Sequence, residues 1–487
     1  MIEGLKPYAE YKESGQKWLG GVPAHWDLKP GHAAFGKRKE SNRGMKEKTV
    51  LSLSYGRIKV KVTDKQHGLV PESYETYQVV NEGNVIIRGT DLQNDHTSLR
   101  IGLSRNRGII SSAYLCLQAL PSITPDYGYQ ILNVFDLTKA IYRYGSGLRQ
   151  NLDHGEIKRL PIFLPPLDEQ AAIVRFLDHA NRKIDGFIRA KRKLIGLLNE
   201  QKQAFIHRAV TRGLDPTVPL KPSGIPWLGD IPQHWEAQQL RHLGRFHKGV
   251  GGSKEDATPD GVPCVRYGEL YFHFRNFIRQ PRGFVSSAKS AAYAPIRFGD
   301  VLFAASGERV EEIGKSAVNL FTGQAVCGGD VVIFRPTVAV HAAFLGYALD
   351  SYGAAHQKAT MCRGTTIKHV YPDELRGLWT CVPPVPEQER ITASLDSALL
   401  GCNAAISRLE REIELLREYR TRLIADVVTG KLDVREVAAT LPDPPAAAEP
   451  APDDSLEEIE TELEETNDAN NCLLIGSTRP AVPAHFP

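Results

Sequence analysis

GQKWLGGVPAHW, at residues 15–26, has a counterpart 209 residues further along the chain, GIPWLGDIPQHW at residues 224–235. Seven of the 12 aligned positions are identical, including both tryptophans and the histidine. A chance match seldom repeats tryptophan at two places, and self-similarity at a fixed offset is what an internal repeat produces. We therefore expect the fold to be built twice.

A second pair of matching segments follows at an offset of 218 residues. LPPLDEQAAIVRFLD begins at Leu164, and VPPVPEQERITASLD begins at Val382. Each leads into a long helical pattern, and the patterns close with TRGLD from Thr211 and TGKLD from Thr429. The repeat unit is therefore WLG-x-x-P-x-HW, a variable segment of about 140 residues, then PP-x-x-EQ and a long helix.

The two variable segments, residues 27–163 and 236–381, are much less alike than the repeated motifs that flank them. Short apolar and β-branched runs bounded by Gly, Pro, Asn and Asp predict strands in both. The clearest runs are VLSLSY (50–55), NVIIRG (84–89), AYLCLQAL (113–120), DVLFAA (300–305) and DVVIFRP (330–336). Each segment is predicted to be a compact α/β domain.

Each PP-x-x-EQ segment predicts the start of a long helix. Proline is tolerated in a first helical turn, and Asp168, Glu169 and Glu387 place negative charge at the positive end of the helix dipole. Apolar residues then recur at spacings of three and four, which indicates one apolar stripe per helix. The first stripe is Ile173, Phe176, Leu177, Ala180, Ile184, Phe187, Ile188, Leu194, Ile195, Leu198, Phe205, Ile206 and Ala209. The second is Ile391, Leu395, Leu399, Cys402, Ile406, Leu409, Ile413, Leu416, Tyr419, Leu423, Ile424 and Val427.

The length of these helices indicates how they are used. Each pattern would span roughly 60 Å at ~1.5 Å per residue, so its stripe needs a partner. The other long helix is the economical partner, as an intramolecular coiled coil. Because a whole variable segment lies between the helices, antiparallel pairing would place one globular domain at each end. The alternative is that each helix covers its own domain.

The predicted fold class is mixed α/β: two similar globular domains separated by two long antiparallel helices that form a coiled coil, as a pseudo-twofold tandem repeat. The predicted boundaries are 1–164 for the first domain, 165–212 for the first long helix, 213–382 for the second domain, 383–437 for the second helix and 438–487 for an acidic tail.

Charge is distributed unevenly along the chain, although the net charge is only +3. The stretch from Asp443 to Asp468 holds 11 acidic residues and no Lys or Arg, so the rest carries 60 basic against 46 acidic residues. A basic body suits a polyanionic partner such as DNA. The tail from about residue 440 is rich in Pro, Ala, Asp and Glu, and is predicted to be disordered.

The remaining composition disfavours other classes of protein. No apolar run approaches the ~18 residues of a membrane helix. Residues 1–16 lack the apolar core of a signal peptide, so we expect a cytoplasmic location. The 7 cysteines include no CxxC pair, which disfavours a disulfide framework and a structural zinc site.

The order of these motifs resembles the specificity subunits of type I restriction-modification systems, over nearly the whole chain up to about residue 437. The resemblance implies that the variable segments are target-recognition domains, each reading one half of a bipartite DNA site. The paired helices would set the gap between the halves. The repeated segments would bind two methyltransferase (modification) subunits, which restriction (motor and nuclease) subunits then join.

The DNA-contacting residues are expected among the basic residues of the variable segments, because phosphate contacts position a protein on DNA and base edges specify the sequence. In the first segment the candidates are Arg57, Lys59, Lys61, Arg88, Arg105, Arg107, Arg143 and Arg149. In the second they are Lys248, Lys254, Arg266, Arg309, Lys315, Arg363 and Lys368. Arg57, Lys59 and Lys61 alternate on a possible strand and would share one face. We expect about half of all these residues to be ordinary surface charges.

No motif for catalysis or cofactor binding is evident in the sequence. An adenine methyltransferase of this class needs an NPPY-like loop, and the LPPL and VPPV tetrapeptides lack its Asn or Asp and its aromatic residue. Between Gly307 and Gly314 lie six residues, where a phosphate-binding loop has four. We therefore predict a non-catalytic chain without a cofactor or a metal. His25 and His234 are predicted to pack or form hydrogen bonds rather than bind a metal.

Two other classes of function stay open at this point. One is an enzyme, a nuclease or methyltransferase fused to its own DNA reader, which activity of the purified chain with S-adenosylmethionine and DNA would support. The other is a coiled-coil scaffold whose two domains grip proteins. Sequence-selective protection of DNA by the assembled complex would exclude the scaffold.

Overall fold

The computed structural model describes residues 5–16, 18–61, 73–90, 92, 99–145, 151–251, 256–307, 310, 313–364 and 367–443. The chain divides into two compact units. Unit 1 combines residues 1–184 with the segment that starts at Glu418, and unit 2 is the continuous stretch from Asp185 to Arg417.

Unit 1 is built mainly from short antiparallel strands. Its strands are β1 (Tyr11–Glu13), β2 (Gly21–Pro23), β3 (Asp27–Pro30), β4 (Phe35–Arg38), β5 (Leu51–Ser54), β6 (Arg57–Val60), β7 (Gln78–Val80), β8 (Val85–Ile87), β9 (Ile101–Leu103), β10 (Gly108–Ile110), β11 (Leu115–Ala119) and β12 (Pro161–Leu164). Its helices are α1 (Pro125–Leu137), α2 (His154–Arg159) and the first part of α3 (Leu167–Arg212), with 3-10 turns at Gly31–Ala33 and Ala140–Arg143.

A four-stranded antiparallel sheet of order β4-β11-β8-β9 forms the centre of unit 1. The three runs predicted as strands here are confirmed, because VLSLSY contains β5, NVIIRG contains β8 and AYLCLQAL contains β11. Helix α1 begins where the Thr124 hydroxyl accepts a hydrogen bond from the Tyr127 backbone, with Pro125 in the first turn. Its buried face, which includes Tyr127, Ile131 and Phe135, joins the same core as Val85.

Unit 2 contains two larger mixed sheets. Its elements are β13 (Leu220–Pro222), β14 (Asp230–Pro232), β15 (Glu236–Gln239), α4 (Leu240–Leu243), β16 (Gly244–Lys248), β17 (Ala257–Thr258), β18 (Val262–Val265), α5 (Tyr267–Phe272), β19 (Asn276–Ile278), β20 (Gly283–Val285), α6 (Ser287–Ser290), β21 (Ala294–Ile296), β22 (Val301–Ala304), β23 (Ser306–Gly307), β24 (Ser316–Asn319), β25 (Ala325–Cys327), β26 (Val331–Pro336), α7 (Ala342–Leu349), α8 (Tyr352–Met361), β27 (Lys368–His369), α9 (Pro372–Leu375) and β28 (Trp379–Val382). The chain continues with α10 (Val385–Val428), which crosses back into unit 1, and α11 (Arg435–Thr440).

The sheets of unit 2 have the orders β16-β26-β22-β24-β19 and β17-β20-β18-β25-β21. The predicted strands DVLFAA and DVVIFRP are confirmed as β22 and β26, which pair antiparallel. Val331, Val332, Ile333 and Phe334 of β26 are all buried. A continuous apolar run of this kind is typical of a strand covered on both faces.

In each unit the same pair of strands closes the variable segment. β3 pairs antiparallel with β12, which places Asp27 opposite Leu164. β15 pairs with β28, which places Glu236 opposite Val382. The two ends of each variable segment therefore meet on one two-stranded ribbon, although the segments themselves fold differently.

The matching motifs of the first repeat meet at one buried carboxylate in unit 1. Glu169, whose side chain is 2% exposed, lies 2.8 Å from His25 Nε2 through Oε2. Its Oε1 accepts hydrogen bonds from Trp26 Nε1 at 2.9 Å and from the Tyr8 hydroxyl at 2.6 Å. Gln170 then bonds the Thr124 backbone N–H through Oε1 at 2.9 Å. We call His25, Trp26, Glu169 and Gln170 the first clamp.

The second repeat builds the same arrangement in unit 2. Glu387 Oε2 lies 2.9 Å from His234 Nε2 and accepts a 3.1 Å hydrogen bond from Trp235 Nε1. Gln388 Oε1 accepts a 2.8 Å bond from the backbone of His341, the residue that precedes α7. We call His234, Trp235, Glu387 and Gln388 the second clamp. The predicted hydrogen-bonding role of the two histidines is confirmed.

Each clamp also receives the end of a long helix. After α10, Gly430 has φ 77°, and a Cβ added there would lie 2.3 Å from Pro23 Cδ and 3.1 Å from Trp26 Cη2. After α3, Gly213 has φ 74°, and its added Cβ would lie 3.2 Å from Trp235 Cζ2. Both glycines stand in the left-handed conformation that commonly follows a helix, which explains the glycine in TRGLD and TGKLD.

The long helices contact each other in both units. In unit 1, Ile173 and Leu177 of α3 share a core with Leu423 and Val427 of α10. In unit 2, Lys191 Nζ lies 2.5 Å from Glu412 Oε2, and Lys202 Nζ donates a 2.5 Å hydrogen bond to Asn403 Oδ1. Because the residue numbers rise along one helix as they fall along the other, the segments within unit 2 run antiparallel.

Candidate nucleic-acid interface

Two of the predicted DNA-contacting residues of unit 1 lie on one face of a hairpin. β5 and β6 pair so that Ser54 is opposite Arg57 and Ser52 is opposite Lys59. The turn residues 55–56 both have positive φ, 43° and 78°, as in a two-residue type I′ turn. Directly opposite residues share a face, so the four side chains form one polar and basic surface on this ribbon.

The opposite face of the hairpin attaches it to the unit. Leu53 and Ile58 point to that side and pack against the core cluster of β5, β8 and β11. Gly102 lets the hairpin approach closely, because a Cβ there would lie 2.7 Å from Leu53 Cδ1. Lys61 is exposed just beyond β6, where its backbone N–H bonds the Val50 carbonyl at 2.8 Å. The hairpin face that carries Arg57 and Lys59 is therefore held in place by the apolar packing of its opposite face.

Arg105 and Arg107 lie in the exposed turn between β9 and β10. The Arg105 guanidinium pairs with Asp126 at 2.6 Å, and that of Arg107 lies 3.3 Å from Glu47. The pKa of Glu47 is lowered, first by the hydrogen bond from the Thr49 backbone and in smaller part by Arg107. The carboxylate therefore keeps its charge beside Arg107.

The hydroxyl of Tyr129 is influenced by charges from both this turn and the hairpin. Burial raises the pKa of the Tyr129 hydroxyl, and the positive charges of Arg57 and Arg105 oppose that rise. We call Arg57, Lys59, Arg105 and Arg107 the first basic surface.

Arg88 and Arg143 lie elsewhere in unit 1. Both side chains are exposed, Arg88 just after β8 and Arg143 at the end of a 3-10 turn. The buried Arg100 guanidinium holds this region together by donating to the Arg88 carbonyl at 3.3 Å and the Thr90 carbonyl at 2.7 Å. Arg149, Lys254 and Arg309, which were also predicted to contact DNA, lie outside the described residues.

In unit 2, three candidates meet around the small ribbon formed by β23 and β27. Lys368 stands opposite Gly307 in that ribbon. Arg363 exchanges two backbone hydrogen bonds with His369, of 2.9 and 2.7 Å. Lys315 Nζ donates a 2.9 Å bond to the Tyr271 carbonyl.

The Tyr271 ring connects Lys315 to the ribbon. Lys315 Nζ lies 6.0 Å from the centre of that ring, and a Cβ on Gly307 would lie 2.5 Å from the Tyr271 hydroxyl oxygen. Glycine at position 307 is therefore what allows the ring to sit against β23. We call Lys315, Arg363 and Lys368, with Tyr271 and His369, the second basic surface.

Two candidates of unit 2 lie apart from that ribbon. Lys248 is exposed at the end of β16, where it stands opposite Val332. Arg266 is half-buried at the start of α5, and its backbone N–H bonds Glu269 at 3.1 Å. Its guanidinium faces the Phe284 carbonyl at 3.5 Å. The contacts of Arg266 thus connect α5 to β20.

The ion pairs on these surfaces do not prevent exchange with phosphate. Arg363 is 75% exposed where it pairs with Glu374 at 2.9 Å, and Arg105 is 63% exposed beside Asp126. Exposed pairs of this kind contribute only about 0–1 kcal/mol. A phosphate oxygen can replace the carboxylate at little cost and gain from counterion release.

Comparisons with known proteins show which proteins the chain is similar to. It is 22% identical over 370 residues to the specificity subunit of the type I restriction enzyme MjaVIII from Methanocaldococcus jannaschii, a match that covers 74% of this chain and 81% of that protein. It is 22% identical over 211 residues to the EcoKI specificity subunit from Escherichia coli, which covers 42% of this chain and 44% of that protein.

The chain is related to the specificity subunits of type I restriction enzymes. A solved chain from work on assembly of the type I restriction-modification system has the same fold, with a TM-score of 0.58 at 16% identity over 84% of this chain and 98% of that chain. No protein-family model matches the sequence. The resemblance predicted from the two motif pairs is confirmed.

Several residues in or beside the second basic surface were not predicted from sequence. Ser306 Oγ lies 2.9 Å from His369 Nδ1, and the His369 ring stacks on Tyr371 at 6.1 Å and 25°. Tyr267, which is 42% exposed, packs edge-on against Tyr271. The one available signal was the mixture of basic and aromatic residues in KHVYP, which starts at Lys368.

Within the described ranges, no three His, Cys, Asp or Glu residues are grouped so that they could hold a metal ion. The helices of the described part of the chain include none that is long and apolar enough to cross a membrane. The described cysteines Cys116, Cys264, Cys327 and Cys381 are buried, and burial raises the pKa of each thiol. A raised thiol pKa makes these side chains poor nucleophiles.

Proposed function

We propose that this chain is the sequence-specific DNA-binding subunit of a type I restriction-modification complex, and that it reads a bipartite DNA target. The observation that carries the proposal is the duplicated clamp. Glu169 and Glu387 each join a His-Trp pair to the start of a long helix, while the two variable segments that they hold differ in fold and in surface. Recognition of two different half-sites requires two different variable segments, and here both are held by the same type of clamp.

The basic surfaces support DNA as the ligand. Arg57 and Lys59 of the first basic surface lie on a two-stranded ribbon, an element that fits the major groove, where each base pair presents a distinct pattern of donors and acceptors. The second basic surface surrounds another short ribbon, β23 with β27. Lysine and arginine at the edges would bind phosphate and fix the register. The fifteen candidates named from the sequence remain predictions in this respect.

We further propose that α3 and α10 pair as an antiparallel coiled coil along their length and hold the two heads apart. The contacts of Lys191 with Glu412 and of Lys202 with Asn403 support this pairing in unit 2. The core that Leu177 and Val427 share supports it in unit 1. On this proposal the functional domains are residues 1–164 and 213–382, with helices in 165–212 and 383–437 and an acidic tail in 438–487.

The partners proposed for the chain are double-stranded DNA, two methyltransferase subunits and, through the complex, restriction subunits. Two equivalent clamps offer the same framework twice, which suits two copies of one partner. The chain is proposed to be non-catalytic and to act in the cytoplasm. Methyl transfer and cleavage would belong to the other subunits, which this chain directs to the site.

Exchange of one variable segment tests the function. The segment from Asp27 to Leu164 is replaced by that of a relative, cut at the paired strands so that Glu169 and His25 stay in place. The complex with its methyltransferase partner should then methylate a motif in which one half is new and the other is unchanged. Methylation-sensitive long-read sequencing of cellular DNA reads both halves at once.

Three outcomes separate the possibilities. A change in both halves would contradict the two-reader proposal. If the unaltered chain gave no bipartite motif with an active methyltransferase, the function itself would be wrong. Methyl transfer by the purified chain alone, with S-adenosylmethionine and DNA, would show that it is an enzyme.

A further inference from the structure

The ribbon formed by β23 and β27 holds a pair of side chains suited to contact a base edge. Ser306 stands directly opposite His369, and the Ser306 hydroxyl lies 2.9 Å from His369 Nδ1. The His369 ring stacks on Tyr371 at 6.1 Å with an interplanar angle of 25°. One ring nitrogen and one ring face of His369 are therefore occupied by protein.

The other ring nitrogen, Nε2, is available for recognition. Among the described residues no hydrogen bond reaches His369 Nε2. The Ser306 hydroxyl can donate to Nδ1 or accept from it, so this bond holds the ring in place with either tautomer. An imidazole ring held in this way presents Nε2 to a ligand as a donor or as an acceptor, and base edges in the major groove differ in just this property.

The charged residues near His369 are suited to bind DNA phosphates rather than to form a metal or catalytic site. Lys368 is its neighbour on β27, and Arg363 is tied to His369 by two backbone hydrogen bonds. Glu374 lies 2.9 Å from the Arg363 guanidinium, which leaves the carboxylate occupied. A ring that is held in place, with basic residues next to it and opposite it on the ribbon, suits a reader that phosphate contacts position.

We propose that His369 contacts a base edge in the half-site read by unit 2, and that Ser306 is a positioning residue that holds the His369 ring in place. This inference rests on the proposed function and adds to it a specificity residue that the basic candidates did not include. Lys368, Arg363 and Lys315 then supply phosphate contacts around that base.

The test uses the assembled complex of the full chain with its methyltransferase partner. Four variants are compared: His369→Ala, Ser306→Ala, Ser306→Thr and the control His242→Ala, which changes an exposed histidine on α4 of the same unit. His369→Ala should relax discrimination at one base position of one half-site by roughly 5- to 100-fold. Ser306→Ala should relax the same position less, and Ser306→Thr, which keeps the hydroxyl, should restore it.

The readouts are the methylated motif and the competition binding of duplexes that differ at one base pair each. A motif that His369→Ala leaves unchanged would overturn the proposal. Equal weakening for every duplex would also overturn it, since His369 would then act on phosphate or on folding. Absence of any bipartite motif with the unaltered chain would instead refute the proposed function.

Discussion

Trp26 and Glu169 are 143 residues apart in sequence, and a 2.9 Å hydrogen bond joins the Trp26 indole Nε1 to the Glu169 carboxylate. Trp235 and Glu387, 152 residues apart, repeat this bond at 3.1 Å. Each pair connects the segment before a variable domain to the helix that follows it. The domain between them can therefore change without disturbing its frame, which is the property that a reader of varied DNA sites needs.

Glu169→Ala should destabilise unit 1 more than Glu387→Ala destabilises unit 2. Glu169 is 2% exposed and accepts bonds from Trp26 and Tyr8 in addition to facing His25, so its loss leaves buried donors without acceptors. We expect a loss of about 3 kcal/mol, since each unsatisfied buried group costs roughly 1–3 kcal/mol. The Glu387 side chain is 18% exposed, so water can replace it at a cost of about 1 kcal/mol. Urea unfolding followed by tryptophan fluorescence measures both, and equal losses would contradict the prediction.

Gly430→Ala should lower stability, whereas Gly196→Ala should raise it. Gly430 has φ 77°, and its added Cβ would lie 2.3 Å from Pro23 Cδ, so alanine is strained and crowded. A cost of about 1–3 kcal/mol is expected for such backbone strain. Gly196 lies inside α3 with nothing within 4 Å of the added Cβ. Alanine there should add about 0.5–1 kcal/mol through helix propensity alone.

Thermal unfolding of the two glycine variants measures these opposite changes in stability. Because Gly196 and Gly430 differ in φ and in surroundings but receive the same substitution, the comparison isolates local geometry. If Gly430→Ala melted at the temperature of the unaltered protein, the tight approach of α10 to Pro23 would be disproved.

Local patterns were sufficient to predict five of the strands and the two long helices. β8 and β26 are short apolar runs between turn residues, and α3 carries apolar residues at regular spacing. Phe187, Leu194 and Phe205, which were predicted to belong to the stripe of α3, are nevertheless exposed. The motif repeat also predicted that one framework occurs twice. These features depend on neighbours in sequence, or on a comparison of the chain with itself.

Contacts between distant residues were beyond the reach of such patterns. Nothing local to His25 indicates Glu169 as its partner, because the antiparallel pairing of β3 with β12 brings them together. For the same reason Arg105 could not be assigned to Asp126, nor His369 to Ser306. The sequence shows that a residue is basic. The surface on which that residue lies depends on the fold of the whole variable segment.

Lys358→Met should change how the stability of unit 2 depends on pH. Lys358 is buried, donates a 2.9 Å hydrogen bond to the Leu349 carbonyl and lies over the Phe303 ring at 5.8 Å. Burial lowers its pKa to about 8, although the charge of Asp350 acts in the opposite direction. Below pH 8 both the folded and unfolded states hold the proton, so the folded state bears the cost of a buried charge.

Between pH 8 and the ordinary lysine value of about 10.4, the unfolded state binds more protons than the folded one, and stability rises with pH. The methionine variant lacks this gain. Its stability relative to the unaltered protein should therefore be greatest below pH 8 and decline by up to roughly 3 kcal/mol as the pH rises towards 10. Urea midpoints at pH 7, 8 and 9.5 give the difference, and a difference that stays constant would show that Lys358 titrates normally.

The spacing between half-sites should follow the length of the long helices. Four helix-forming residues are inserted after Glu200 of α3 and four after Ala404 of α10, which lie near each other because Lys202 bonds Asn403. Four residues make about one turn, so both apolar stripes return close to their faces while the pair lengthens by roughly 6 Å. DNA rises ~3.4 Å per base pair, so the gap in the methylated motif should grow by about one or two base pairs. Both half-sites should keep their sequences.

A two-residue insertion at the same positions is the matched control. Two residues rotate the downstream stripe by about 200°, which turns its apolar side away from the partner helix. This variant should lose the paired helices, and with them methylation, although its composition hardly differs from that of the four-residue variant. Long-read sequencing of methylated DNA measures the gap for each protein. A four-residue variant that stays active with an unchanged gap would show that α3 and α10 do not set the distance between the two readers.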